Sequence, residues 1–287
     1  MIEKEYNLNI FPFYPFLIKK KYKEIAISYF NFITSARNIA DNVKLQSFSR
    51  MQDLCELEDV FFYQREHKNE KLRHIIDVRE RFTQELLAPA LVVDIINALK
   101  KDASDFTYEV RGQLVEYYKN YSGTMGRFLL ALFDENPSTY MPATSLCTAF
   151  QILNNLKNMK YDGMIMKRFY IPKDLLNQYN LKPKDLYYDV MSNDTKRLVK
   201  DILKDVKGLL KDAKILPSII KNDGLRAQFC VLLSLTHILY HKLNGTDFLK
   251  KNVKVSKFDR INALITGVLE SFFTPYQEIS IKKLNRK

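Results

Sequence analysis

The chain has 287 residues, 46% of them hydrophobic, with only 8 glycines and 9 prolines; that suffices for a sizeable core and, with so few helix breakers, points to a mainly helical chain. Three widely separated cysteines, Cys55, Cys147 and Cys230, exclude a disulfide framework and read as buried thiols of a reducing compartment. The net charge of +12 favours anionic partners, but no recognition-helix, zinc or aromatic-platform motif accompanies it, so nucleic-acid binding is not expected.

The amino-terminal stretch MIEKEYNLNIFPFYPFLIKKK carries early acids and no small-residue cleavage site, so it does not read as a signal peptide. Hydrophobic periodicity then predicts helices over 20–45, 52–66, 71–84, 87–101, 109–121, 123–134, 143–162, 196–213, 223–243 and 258–273. Turn residues break the pattern at 134–142, 168–174 and 244–248. None of these breaks resembles a flexible linker. The expectation is one all-α domain over 1–287, with its core at about 9–271 and a short basic carboxy-terminal tail. The longest apolar run, Cys230 to Tyr240, is too short to span a bilayer and is interrupted by Ser234, Thr236 and His237. It predicts a buried helix in a soluble, cytoplasmic protein.

Two helices carry the functional reading. In the first, Glu24 to Leu45, the residues Ile25, Tyr29, Phe32, Ala36, Ile39 and Val43 form an apolar stripe, with Thr34, Arg37, Asn38 and Asp41 on the opposite side. In the second, Ser145 to Asp162, the apolar side is Leu146, Ala149, Phe150, Leu153 and Leu156. Its polar line is Gln151, Asn154, Asn158 and Asp162, free of lysine and glutamate, which suits the wall of a polar cavity. His237 and His241 share a helical face but lack the nearby acid of a zinc site.

Five stretches, in order, resemble the squalene/phytoene synthase family, nearest the bacterial hydroxysqualene synthase branch: NIFPF (9–13), YFNFITSARNIADN (29–42), LVEYYKNYSGTMGRFLLALF (114–133), LCTAFQILNNLKNMKYD (146–162) and KRFYIPKDLL (167–176). The resemblance implies an isoprenoid synthase-type helical bundle around a central cavity for prenyl diphosphates. Two aspartate-rich helices at the cavity mouth would hold the magnesium ions that carry the leaving diphosphate. Such a reaction needs cations where the diphosphate charge develops, and magnesium needs hard oxygen ligands.

The motifs depart from that pattern. Arg37 and Asn38 stand where the family has its first aspartate pair, and only Asp41 matches; in the second motif Asn158 replaces an aspartate, while Gln151, Asn154 and Asp162 match. Arg168 and Tyr170 match after a one-residue insertion. The charged side chains Arg37, Asp41 and Asp162 leave a net charge of −1. A guanidinium about 4 Å from a divalent ion is repelled by roughly 8 kcal/mol at an effective dielectric near 20. The resemblance therefore predicts no cofactor or a weakly held magnesium, on Asp41, Asn154 and Asp162 if a residual site persists.

Three alternatives follow for Arg37. It binds diphosphate in place of a metal, with Asn38, Asp41, Gln151, Asn154, Asn158, Arg168 and Tyr170 around it. It pairs with Asp41 at (i, i+4) and seals a disused mouth. Or the chain remains an active magnesium-dependent prenyltransferase or hydroxysqualene-type synthase with an altered metal site. The first two make the chain a pseudoenzyme that binds an isoprenoid or other lipid-like ligand, or a protein partner, in the manner of the family's non-catalytic branch that assists assembly of respiratory complex I. The basic surface adds a peripheral contact with acidic membrane as a further expectation.

Overall fold

The computed structural model describes residues 11–63, 72–104 and 106–277. Among them the secondary structure is helical throughout: α1 (Lys20–Ala40), α2 (Ser47–Tyr63), α3 (Arg73–Gln84), α4 (Ala90–Ala103), α5 (Arg111–Tyr118), α6 (Thr124–Leu132), α7 (Tyr140–Met164), α8 (Lys173–Gln178), α9 (Asn193–Ala213), α10 (Leu216–Ile219), α11 (Asp223–Leu243) and α12 (Lys257–Phe273). Side-chain caps set the starts of α9, α11 and α12, the first of them three residues before the expected position. Ser192 accepts from the Thr195 amide, Asn222 from that of Leu225, and Ser256 forms a reciprocal capping box with Asp259.

Several boundaries shift by two or three residues from the periodicity reading, as where α4 starts at Ala90, α7 at Tyr140 and α9 at Asn193, and the short α10 was not expected. The larger departures are in α1, α2, α5–α6 and α8. α1 stops at Ala40 instead of residue 45. The Ala40 carbonyl is taken by Arg168 Nη2 at 2.5 Å and by Arg50 Nη1 at 3.4 Å, so the chain turns there. Val43, assigned above to the apolar stripe, is consequently 56% exposed. The helices predicted separately at 109–121 and 123–134 form one rod, because a wide π turn over Lys119–Gly123 carries α5 into α6. α8 occupies part of a stretch read as a break, launched from the extended Pro172. α2 starts at Ser47, earlier than residue 52; positions 64–66 and 71 of the predicted helices, like residues 9 and 10 and the basic tail, lie outside the described residues.

α7 runs through the middle of the bundle, contacting α6, α9, α11 and the π turn. Its apolar face, Leu146, Ala149, Phe150, Leu153 and Leu156, is buried as predicted. The rod α5–α6 comes close to it at Gly126, where a Cβ would stand 2.8 Å from Cys147 Sγ, so no larger residue fits without repacking. On the other side of the core Tyr29 of α1 stacks on Phe128 of α6 with ring centroids 3.8 Å apart, and Phe82 of α3 joins them. Burial of these rings, at roughly 25 cal/mol per Å² of apolar area, ties α1, α3 and α6 together. The run Cys230–Tyr240 lies within α11, and Cys230, Val231, Leu232, Leu235 and Leu239 are buried. Among the described residues no helix is long and apolar enough to cross a membrane.

Candidate functional site

At the carboxy-terminal end of α1 the polar side of the helix meets the end of α4 and the segment 168–170. Arg37 is buried there. Its Nε donates to Asp41 Oδ2 at 2.9 Å and its Nη1 to Asp102 Oδ2 at 2.5 Å. Asp102, also buried, accepts two further hydrogen bonds, from the hydroxyls of Tyr117 at 2.9 Å and Tyr170 at 2.8 Å. Arg168 closes the ring: its Nε donates to the Asp102 carbonyl at 2.8 Å and its Nη1 to Asp41 Oδ1. Two guanidinium groups thus face two carboxylates, and both oxygens of Asp41 are engaged by arginine.

The electrostatics of the cluster follow from its burial. Burial disfavours the charge on Arg37, but Asp41 and Asp102 outweigh it and hold the guanidinium above its ordinary value. Arg168 shows the same balance, with Asp102 the leading carboxylate. Burial, followed by the charge on Asp102, pushes the Tyr117 and Tyr170 phenols well above their usual range, so both are hydrogen-bond donors. Tyr121 stacks beneath Arg37, 5.6 Å from ring centroid to guanidinium carbon, and burial pushes its phenol up to about 12.

Beside this cluster lies a cavity of about 490 Å³ between α5, α7, α8 and α9. Its walls are mainly apolar, with Leu114, Ile152, Leu156, Met159, Leu186 and Leu209 among them. Its polar lining includes Tyr118, Asn155, Asp162, Arg168 and Tyr170 next to the cluster, and Thr144, Ser145 and Thr148 further back along α7. The volume and the mainly apolar walls with a few polar groups are those of a site for a largely apolar small molecule. Charged groups elsewhere on the lining are of both signs, with Arg111, Lys119 and Lys204 against Asp205 and Asp212. Arg111 is itself paired with Asp201 at 2.9 Å.

The residues singled out in the sequence fall into three places. Arg37, Asp41, Arg168 and Tyr170 meet in the cluster. Asp162, with Arg168 and Tyr170, lines the cavity, and the Asp162 carbonyl accepts the Arg168 amide at 3.0 Å. The amide line of α7 is divided: Gln151 donates to Asn155 Oδ1 at 2.8 Å, and Asn155 passes the contact to the Tyr118 hydroxyl at 3.1 Å. Asn154 is 3% exposed, and neither side-chain polar atom has a hydrogen-bond partner. Asn38 is exposed and Asn158 half-buried, and neither lines the cavity.

Asp102, Tyr117, Tyr118 and Asn155 did not emerge from the sequence. Asp102 left a signal: it falls three residues after Leu99 and seven after Ile95, an acid on the buried stripe of α4. An acid in that position requires a buried cationic partner. The two tyrosines are among 17 in the chain and carried no distinguishing pattern.

A helical bundle with a polar cluster at one end of an apolar cavity defines an isoprenoid synthase-type architecture, and comparison with solved structures bears this out. A dehydrosqualene synthase in complex with ligand superposes with a TM-score of 0.71, covering 89% of each chain at 20% identity. A squalene synthase, HpnC from Alicyclobacillus acidocaldarius, does so with a TM-score of 0.68 at 16% identity, covering 80% of this chain and 85% of that one. The family model for squalene/phytoene synthase matches residues 16–259. The chain belongs to the squalene/phytoene synthase family. Its curated relatives include the hydroxysqualene synthases of Rhodopseudomonas palustris, 23% identical over 88% of this chain and 85% of the relative, and of Zymomonas mobilis, 25% identical over 92% and 88%.

Proposed function

We propose that this chain is a squalene/phytoene synthase-like protein that holds an isoprenoid or similar lipid-like ligand in the cavity between α5, α7, α8 and α9, and that it does not ionise a prenyl diphosphate through magnesium. The observation that carries the reading is the engagement of both Asp41 oxygens by Arg37 and Arg168. Magnesium demands near-octahedral oxygen coordination and tolerates displacement of its ligands poorly. Here the carboxylate matching the family's first motif is neutralised, and the positions beside it are Arg37 and Asn38. Among the described residues no group of three His, Cys, Asp or Glu side chains is close enough to hold a metal. The residues present do not fit a magnesium cluster.

What remains is binding. Apolar walls favour the hydrocarbon by roughly 25 cal/mol per Å² removed from water. At the polar end the Tyr118 hydroxyl and the Asn155 amide offer hydrogen-bond donors to a head group. Asp162 beside them disfavours a multiply charged one, which makes a neutral or singly charged head the better fit.

A second reading has support in the names of the relatives, both hydroxysqualene synthases. In it the chain is an active magnesium-dependent synthase acting on farnesyl or presqualene diphosphate. Titration calorimetry separates the two. Farnesol and farnesyl thiodiphosphate should each bind with affinities that change less than about threefold when magnesium is replaced by a chelator. Affinity for the thiodiphosphate that appears only with magnesium would overturn the binding reading in favour of the synthase.

A further inference from the structure

α12 packs on α11 through a face centred on Gly267, where a Cβ would stand 2.5 Å from the backbone nitrogen of Val231. Its opposite face is unusual. Phe258, Ile261, Ile265, Leu269 and Phe272 follow one another at steps of three and four, with Phe273 beside the last. All are exposed, Phe258 by 76%, Phe272 by 79% and Phe273 by 83%. On a helical projection these six side chains fill an arc of about 120° with only Asn262 interleaved and no charge among them. A monomeric surface rarely leaves so continuous an apolar row in water.

The flank of the row is basic. Lys250, Lys251, Lys254 and Lys257 are exposed in the few residues leading into the helix. Asp259, the acid of its first turn, is occupied by Lys242 at 2.5 Å and by the Ser256 cap. The sequence after the helix adds Lys282, Lys283, Arg286 and Lys287. An apolar face bearing three phenylalanines and approached by lysines is the composition of a helix that lies in a membrane interface.

We propose that the outer face of α12 docks this protein onto an anionic lipid bilayer, the six apolar side chains entering the acyl boundary and the lysines before the helix contacting acidic head groups. Charge complementarity favours this occupant over a second copy of the chain, because pairing two such faces brings together two molecules of net charge +12. The row lies on a different helix from those that line the cavity, so docking and ligand binding are separable properties.

The test is flotation of the full chain with vesicles of phosphatidylglycerol and phosphatidylcholine, against vesicles of phosphatidylcholine alone. The chain should float with the acidic vesicles, less with neutral ones, and less at high salt. The pair Leu269→Glu and Phe272→Ser should lower the partition coefficient by about tenfold or more. Lys250→Glu with Lys251→Glu, which leaves the apolar row intact, should lower it on acidic vesicles only. Unchanged circular dichroism and calorimetric ligand affinity of these variants would separate lost docking from lost folding or lost cargo binding. The proposal fails if the parent chain ignores acidic vesicles, or if both variants float as the parent does. It also fails if sedimentation shows a dimer that Leu269→Glu splits, which would give the row to a second copy.

Discussion

Arg37 sets the character of the site because its guanidinium is buried among carboxylates. Buried between Asp41 and Asp102, it is worth more as one half of a neutral ensemble than as an isolated cation. Removing it leaves Asp102 with two phenol donors and no cationic partner on its side chain. Arg37→Ala should therefore cost about 3–5 kcal/mol of stability, as for other broken buried pairs. Arg37→Lys should recover only part of this, since a point ammonium cannot serve two carboxylates through a planar fork. Chemical denaturation of the two variants checks both; a loss under about 1 kcal/mol for Arg37→Ala would show the cluster to be far looser than the geometry implies. The residue scale is also where the sequence was hardest to interpret. The Arg37 to Asp41 contact was legible from (i, i+4) spacing alone. The partnership with Asp102, 65 positions away, was not, because nothing local ties the end of α4 to the end of α1.

At the scale of elements the sequence carried more. The apolar stripe of α7 has the period that burial requires and is buried as expected, and most of the run Cys230–Tyr240 in α11 is buried too, although His237 is exposed. Failures cluster where tertiary contacts override local pattern. Arg168 and Arg50 end α1 early, and the π turn at Lys119–Gly123 joins two helices that periodicity had separated. That turn places Tyr118 against Asn155 and so builds the polar end of the cavity, a consequence invisible in a polar line drawn along α7 alone. α9 forms the opposite wall, and at its Gly208 a Cβ would meet nothing within 4 Å. Gly208→Phe should project into this open space and lower ligand affinity about tenfold by occlusion. It should also raise the melting temperature slightly, because a helical glycine costs up to about 1 kcal/mol. Calorimetry and thermal melting of one preparation test both halves. Unchanged affinity would place the ligand outside this cavity.

The whole molecule joins a family fold to a buried cluster of two arginines and two aspartates at the end of α1. Five sequence stretches in the family's order made the bundle legible, although relatives such as the Zymomonas mobilis protein are only 25% identical. The cavity was legible only in outline. Its walls come from four helices, and no single stretch reveals how they face one another. The net charge of +12 suggested an anionic partner without locating it; the docking face proposed on α12, with its flanking lysines, would give that partner a place. The central claim is that the chain has exchanged a metal-holding mouth for an arginine–aspartate lock. Release of inorganic diphosphate from farnesyl diphosphate, followed at saturating magnesium, measures this most directly. The lock predicts release no faster than in protein-free buffer. Sustained release that a chelator stops, and that Asp41→Ala or Asp162→Ala abolishes, would contradict it.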